Sequence, residues 1–113
     1  LKQERKDRIF QSFIFSLSQN FRTHHSVSFY AAEQCLTPRY FSTIVREKSG
    51  RNALQWIMMF IIAEAKKLLS DPDPSIKEIA ETLGFSNQSF FGRYFKQYVG
   101  LSPMAFRSSG AEE

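Results

Sequence analysis

The stretch Ser75–Arg107, SIKEIAETLGFSNQSFFGRYFKQYVGLSPMAFR, constrains the fold more than any other part of the chain. It reads as helix, tight turn, helix, stop, short helix. Ser75 with Glu78 three residues on is a capping-box pattern, in which two side chains satisfy two otherwise unpaired backbone N–H groups. Ile76, Ile79, Ala80 and Leu83 recur at helical spacing and give that helix one apolar face. Gly84 stands where a left-handed residue ends a helix at low cost. Ser86 is expected to cap a second helix. On it Phe91, Phe95 and Val99 fall on one side, and Gln88, Ser89, Gly92, Arg93 and Lys96 on another. Gly100 closes it, and Ser102-Pro103 opens a third helix with proline at its first position.

Two short helices joined through a glycine, the second turning polar and basic residues outward, make a helix-turn-helix pattern. The run IAETLGFSNQSFFGRYFKQYVGLSPMAFR resembles the second helix-turn-helix of the AraC/XylS family of bacterial transcription regulators. The resemblance rests on Ile79-Ala80, Gly84-Phe85-Ser86, the pair Phe90-Phe91, Arg93, Phe95-Lys96, and the closing Gly100, Ser102-Pro103 and Phe106-Arg107. It implies sequence-specific binding of promoter DNA, and a separate sensor or dimerisation domain expected to lie outside this fragment.

Ser26–Gly50 repeats the pattern in diverged form. Ser26 falls on Ser75, Ala31 on Ala80, Leu36 on Phe85 and Thr37 on Ser86. After one skipped residue, Tyr40 falls on Phe90, Phe41 on Phe91 and Gly50 on Gly100. Thr37-Pro38 is a cap followed by proline, so Pro38–Lys48 is expected to be a first recognition helix. Lys2–Phe21 reads as an amphipathic helix, with Ile9, Phe10, Phe13, Ile14, Leu17 and Phe21 at three- and four-residue steps. Packing on the next helices is expected of it rather than a membrane surface. Asn52–Leu69, capped through Gln55, reads as a helix about 25 Å long between the two copies, and Asp71-Pro72-Asp73-Pro74 breaks it. The expected fold is all-α: two helix-turn-helix subdomains joined by a long linker helix, about seven helices in all. The boundaries are 1–52, 53–70 and 71–113.

Of 113 residues, 42% are hydrophobic and twelve are phenylalanine, with no strand signal, so an aromatic-rich helical core is expected. The net charge of +4 says less than its distribution. No acid lies between Ser86 and Ser109, and Glu47 is the only one between Thr37 and Ala63. The acids gather in Asp71–Glu81. Such segregation favours a polyanion on one side. One cysteine, Cys35, excludes an internal disulfide or a multi-cysteine zinc site and fits a reducing, cytoplasmic setting. No apolar run is long enough to cross a bilayer. A start at Leu1 suggests a piece of a longer protein.

Base reading needs donors and acceptors near the N-termini of the recognition helices. The family's base-reading positions fall on Arg39, Ser42 and Thr43, then on Gln88, Ser89, Gly92 and Arg93. Thr43 stands where the family often has arginine, and Gly92 offers only room for close approach. Ser26, Arg46, Ser75, Asn87, Lys96 and Arg107 are expected to meet phosphates, which fix register. For Arg107 the alternative is a bond to carbonyls at a helix end. The partner is double-stranded DNA, with RNA polymerase a second candidate. A helical protein-interaction module without DNA readout is the competing reading. No catalytic, cofactor or metal arrangement is read from the sequence. His24-His25 is taken as a loop or helix end, Cys35 as a structural turn residue, and Trp56 with Met58-Met59 as packing. The aromatic group Phe90, Phe91, Tyr94, Phe95 and Tyr98 is read as core before it is read as a stacking platform.

Overall fold

The computed structural model describes residues 1–110, and these form seven α-helices with no strand. They are α1 (Lys2–Asn20), α2 (Val27–Glu33), α3 (Pro38–Ser49), α4 (Ala53–Leu69), α5 (Ile76–Thr82), α6 (Gln88–Val99) and α7 (Pro103–Ser109). The chain divides into two compact units, Leu1–Phe60 and Ile61 onward, and the division falls inside α4. Ala53 and Ile57 are buried in the first, and Ile61, Ala65 and Leu69 in the second. Asn52 and Gln55 cap α4 reciprocally, each backbone N–H donating to the other's side-chain oxygen at 2.8 Å.

In the first unit α1 buries Ile9, Phe13 and Leu17, the i, i+4, i+8 stripe that the sequence displays. Phe13 is its hub. Its ring meets Phe41 edge-on at 5.0 Å and Tyr30 at 5.5 Å, and such pairs add about 0.5–1.5 kcal/mol each beyond area burial. The Tyr30 hydroxyl donates to the His24 carbonyl at 2.7 Å. Burial, with Glu33 nearby, pushes its pKa up to about 12, so it stays a neutral donor. Lys6–Glu47 at 3.0 Å and Lys48–Asp7 at 2.7 Å join α1 to α3 at the surface. Exposed pairs of this kind contribute about 0–1 kcal/mol, so they set register more than stability. Trp56 packs as expected, its indole N–H donating to Ser49 Oγ at 2.8 Å and its ring meeting Phe10 at 5.8 Å.

The second unit is built on a run of rings. Phe85 meets Phe91 at 5.2 Å, Phe91 meets Phe95 at 5.9 Å, and Phe95 meets Phe106 at 5.5 Å. Phe91 and Phe95 are fully buried.

The two turns close alike at first. Leu36 N–H donates to Ala31 O at 3.0 Å, and Phe85 N–H to Ala80 O at 2.9 Å. They then differ by one residue. Thr37 caps α3 directly, accepting from Tyr40 N–H at 3.1 Å. The cap of α6 is Asn87, whose Oδ1 accepts from Phe90 N–H at 2.8 Å. Ser86, expected to be that cap, is instead an added residue in a bend. The physical reason is where the helix begins: the cap is the residue just before the first helical one, and α6 begins at Gln88, one residue later after its turn than α3 does.

Cys35 holds φ 59° where the second unit has Gly84 at φ 81°. A side chain in this region costs roughly 1–2 kcal/mol, partly offset by the greater freedom a glycine loses on folding. Cys35→Gly should therefore raise stability by about 0.5–1 kcal/mol, read from the urea midpoint at constant slope.

Candidate nucleic-acid interface

The buried residues of α3 and α6 dictate which residues face out. On α3, Phe41, Ile44 and Val45 are inside, which leaves Arg39, Tyr40, Thr43, Arg46 and Glu47 exposed and Ser42 half-buried. On α6, burial of Phe91 and Phe95 leaves Gln88, Ser89, Phe90, Arg93, Lys96 and Gln97 exposed. Spacings of three and four residues put Arg39 beside Thr43 on one helix surface, and Ser89 beside Arg93, with Lys96 one turn on, on the other. The last turns carry Arg46 and Lys48 on α3 and Lys96 on α6, where cations suit the helix dipole. Neither first turn holds an acid.

Individual side chains refine this picture. The Thr43 hydroxyl donates to the Arg39 carbonyl at 3.0 Å, so it turns an acceptor and a methyl group outward rather than a donor. Gly92 lies inside α6 with ordinary helical backbone, and a Cβ added there would meet nothing within 4 Å. The protein's own packing does not call for a glycine at that point. Ser26 caps α2, accepting from Phe29 N–H at 3.3 Å, and no acid follows in that first turn. Ser75 caps α5 in the full capping box, with Glu78 Oε1 accepting its N–H at 2.9 Å. The Glu78 carboxylate thus sits at the helix end where Ser75 was expected to meet a phosphate. Asn87 accepts through Oδ1 alone in the bond that caps α6, and its side-chain amide keeps its donors.

Arg107 takes its alternative role. Its Nε donates to the Leu69 carbonyl at 3.0 Å and its Nη2 to the Asp71 carbonyl at 2.9 Å, closing the C-terminal end of α4. Its charge also suits that end of the dipole. Arg107→Ala should lower stability by about 1–2 kcal/mol, since charged hydrogen bonds to carbonyls are lost; denaturant unfolding measures this. An arginine serving phosphate alone would leave the fold as stable as before.

The sequence reading missed Tyr40 and Phe90 as surface residues. Each is the first of an adjacent aromatic pair and was counted as a letter of the repeat. Adjacent helix residues point about 100° apart, so only the second of each pair, Phe41 or Phe91, goes inside. Phe90 is 47% exposed and Tyr40 45%. Of the aromatic group, Phe91 and Phe95 are buried as core, Tyr94 lies tilted against Phe85, and Phe90 and Tyr98 stay exposed, Phe90 edge-on against Phe85. Burial, with Tyr98 nearby, pushes the Tyr94 phenol up to about 12. His24 lies flat on Phe29, 3.7 Å between ring centroids. No group of three or more His, Cys, Asp or Glu among the described residues is placed to hold a metal ion. No helix among them is long and apolar enough to cross a membrane.

A family described as a helix-turn-helix domain matches residues 30–109, which span both turns and all of α3 to α7. The chain belongs to the AraC family of helix-turn-helix regulators. It is 34% identical over 86 residues to the arabinose operon regulatory protein of Salmonella typhimurium, covering 76% of this chain and 31% of that protein. To the arabinose operon regulatory protein of Escherichia coli it is 37% identical over 83 residues, covering 74% and 28%. The chain thus spans about three-tenths of the length of these relatives. Among solved structures it resembles the DNA-binding domain of AdpA in complex with a target DNA, with a TM-score of 0.76, 26% identity, and coverage of 89% and 90%. The C-terminal domain of AraT, a response regulator from Geobacillus stearothermophilus, shares the fold at a TM-score of 0.83 and 24% identity, with coverage of 89% and 84%.

Proposed function

We propose that this AraC-type domain binds double-stranded promoter DNA sequence-specifically, through α3 and α6, and so regulates transcription. The supporting observation is the outward face of the two helices. Both carry only neutral polar, aromatic and cationic side chains, except for Glu47, which is paired with Lys6. A major groove lined by acceptors and flanked by phosphates suits such faces.

In this reading Arg39 and Arg93 each meet guanine through two hydrogen bonds, worth about 1–3 kcal/mol of discrimination. Gln88 reads adenine, and Ser42, Thr43 and Ser89 add shorter contacts. Arg46, Lys96, Asn87 and Ser26 hold phosphates and set register. Two copies of the unit call for two contacted blocks, about one helical turn (~34 Å) apart. A sensor or dimerisation domain elsewhere in the full protein, RNA polymerase as a target and a cytoplasmic location belong to the same proposal.

Selection of bound fragments from random DNA tests it, and a site with two such blocks is expected. Affinity should fall steeply as salt rises, with a slope set by the phosphates engaged. Arg93→Ala should relax preference at one base pair by about 1–3 kcal/mol, while Lys96→Ala should weaken all sequences alike and flatten the salt slope by about one. Salt-insensitive binding would point to a protein partner instead, and Tyr98, Leu101 and Met104, exposed in the second unit, would be its candidate contacts.

Gly92 gives an independent check. A glycine inside a helix costs about 1 kcal/mol against alanine, and nothing in the fold requires it. Gly92→Ala should therefore raise the unfolding free energy by about 0.5–1 kcal/mol and weaken DNA binding. Better folding with unchanged binding would remove the role given to close approach on that side of α6.

A further inference from the structure

Phe90 stands in the first turn of α6, among the residues that a recognition helix turns toward base edges. Nearly half of it is in contact with solvent. The other side rests edge-on against Phe85, ring centroids 5.7 Å apart, which restricts its rotation. An apolar ring held out beside Ser89 and Arg93 gains nothing from water. It has no donor or acceptor, so it cannot bond a phosphate, as Tyr40 can through its hydroxyl. A protein partner fits this position poorly, because from Ser86 to Ser109 the chain bears Arg93, Lys96 and Arg107 and no acid. That charge suits a polyanion. The apolar group that the major groove of DNA presents is the C5-methyl of thymine.

We propose that Phe90 is a specificity-determining residue that reads the methyl group of one thymine in the block contacted by α6. The inference rests on the DNA-binding reading and adds to it a contact that hydrogen bonding does not supply. Held by Phe85, the ring loses little freedom on binding. Tyr40 occupies the same turn of α3 with a hydroxyl added, so the first unit reads its block by different chemistry.

The test uses the selected duplex, with each thymine replaced in turn by deoxyuridine. This removes one methyl group and leaves every hydrogen bond in place. In the block where Arg93→Ala relaxes preference, the wild-type domain should lose about fourfold in affinity at one position, the value of one buried methyl group. Phe90→Ala should bind the thymine and deoxyuridine duplexes equally at that position. Helical circular dichroism and retained binding to the deoxyuridine duplex show that the variant is folded. A flat wild-type scan across that block overturns the inference without any variant. So does a Phe90→Ala domain that keeps the wild-type penalty. Failure of the underlying reading looks different: the unaltered duplex would then show no salt-dependent, sequence-selective binding at all.

Discussion

Burial of a ring early in α3 and in α6 is the constraint on which the surface depends. Phe41 in the first unit and Phe91 in the second are fully enclosed. With a helical period of 3.6, a fixed inward direction for one residue settles the direction of all the others. Phe13 meets Phe41 edge-on and is itself backed by Tyr30, while Phe85 and Phe95 hold Phe91. Removing such a ring typically costs about 3–5 kcal/mol, a large share of the stability of a small domain. The aim of Arg39 or Arg93 is thus a property of the core rather than of the arginine.

The units share a frame and differ in what they present. Both α3 and α6 are capped by a side chain three residues before the N–H it accepts, Thr37 or Asn87, and end on a left-handed glycine, Gly50 or Gly100. Within that frame Arg93 corresponds to Thr43, and Gly92 to Ser42. One helix therefore offers a long cation beside open space. The other offers a compact methyl and acceptor beside a half-buried hydroxyl. A duplicated scaffold can carry two unlike outward faces because its cap, its enclosed ring and its terminal glycine do not depend on the outward residues.

Most of the fold was legible because caps, glycines and apolar spacing agree along the chain. The capping box at Ser75, the proline starts at Pro38 and Pro103, and the stripe of α1 all follow from rules that act within a few residues. What escaped the sequence depends on distance in space. Ser86 satisfies every local preference for a cap, and only the extra residue in the turn moves that role to Asn87. Arg107 carries the family's letter, but its partners lie at the far end of another helix. Tyr40 and Phe90 look like core by type, and their exposure follows only once Phe41 and Phe91 have taken the inward direction. The positions expected to read bases do face outward on both helices, apart from the half-buried Ser42 and Gly92.

The pairing of Lys6 with Glu47 has a consequence of its own. Glu47 is the sole carboxylate on α3, and it lies exposed close to Thr43 and Arg46. Left bare, it would push nucleic acid away from a surface otherwise suited to it. Lys6, on α1, masks that negative spot with a counter-charge. The charge that α3 presents is therefore partly set forty-one positions upstream, and a neutral residue there would alter that face without belonging to it.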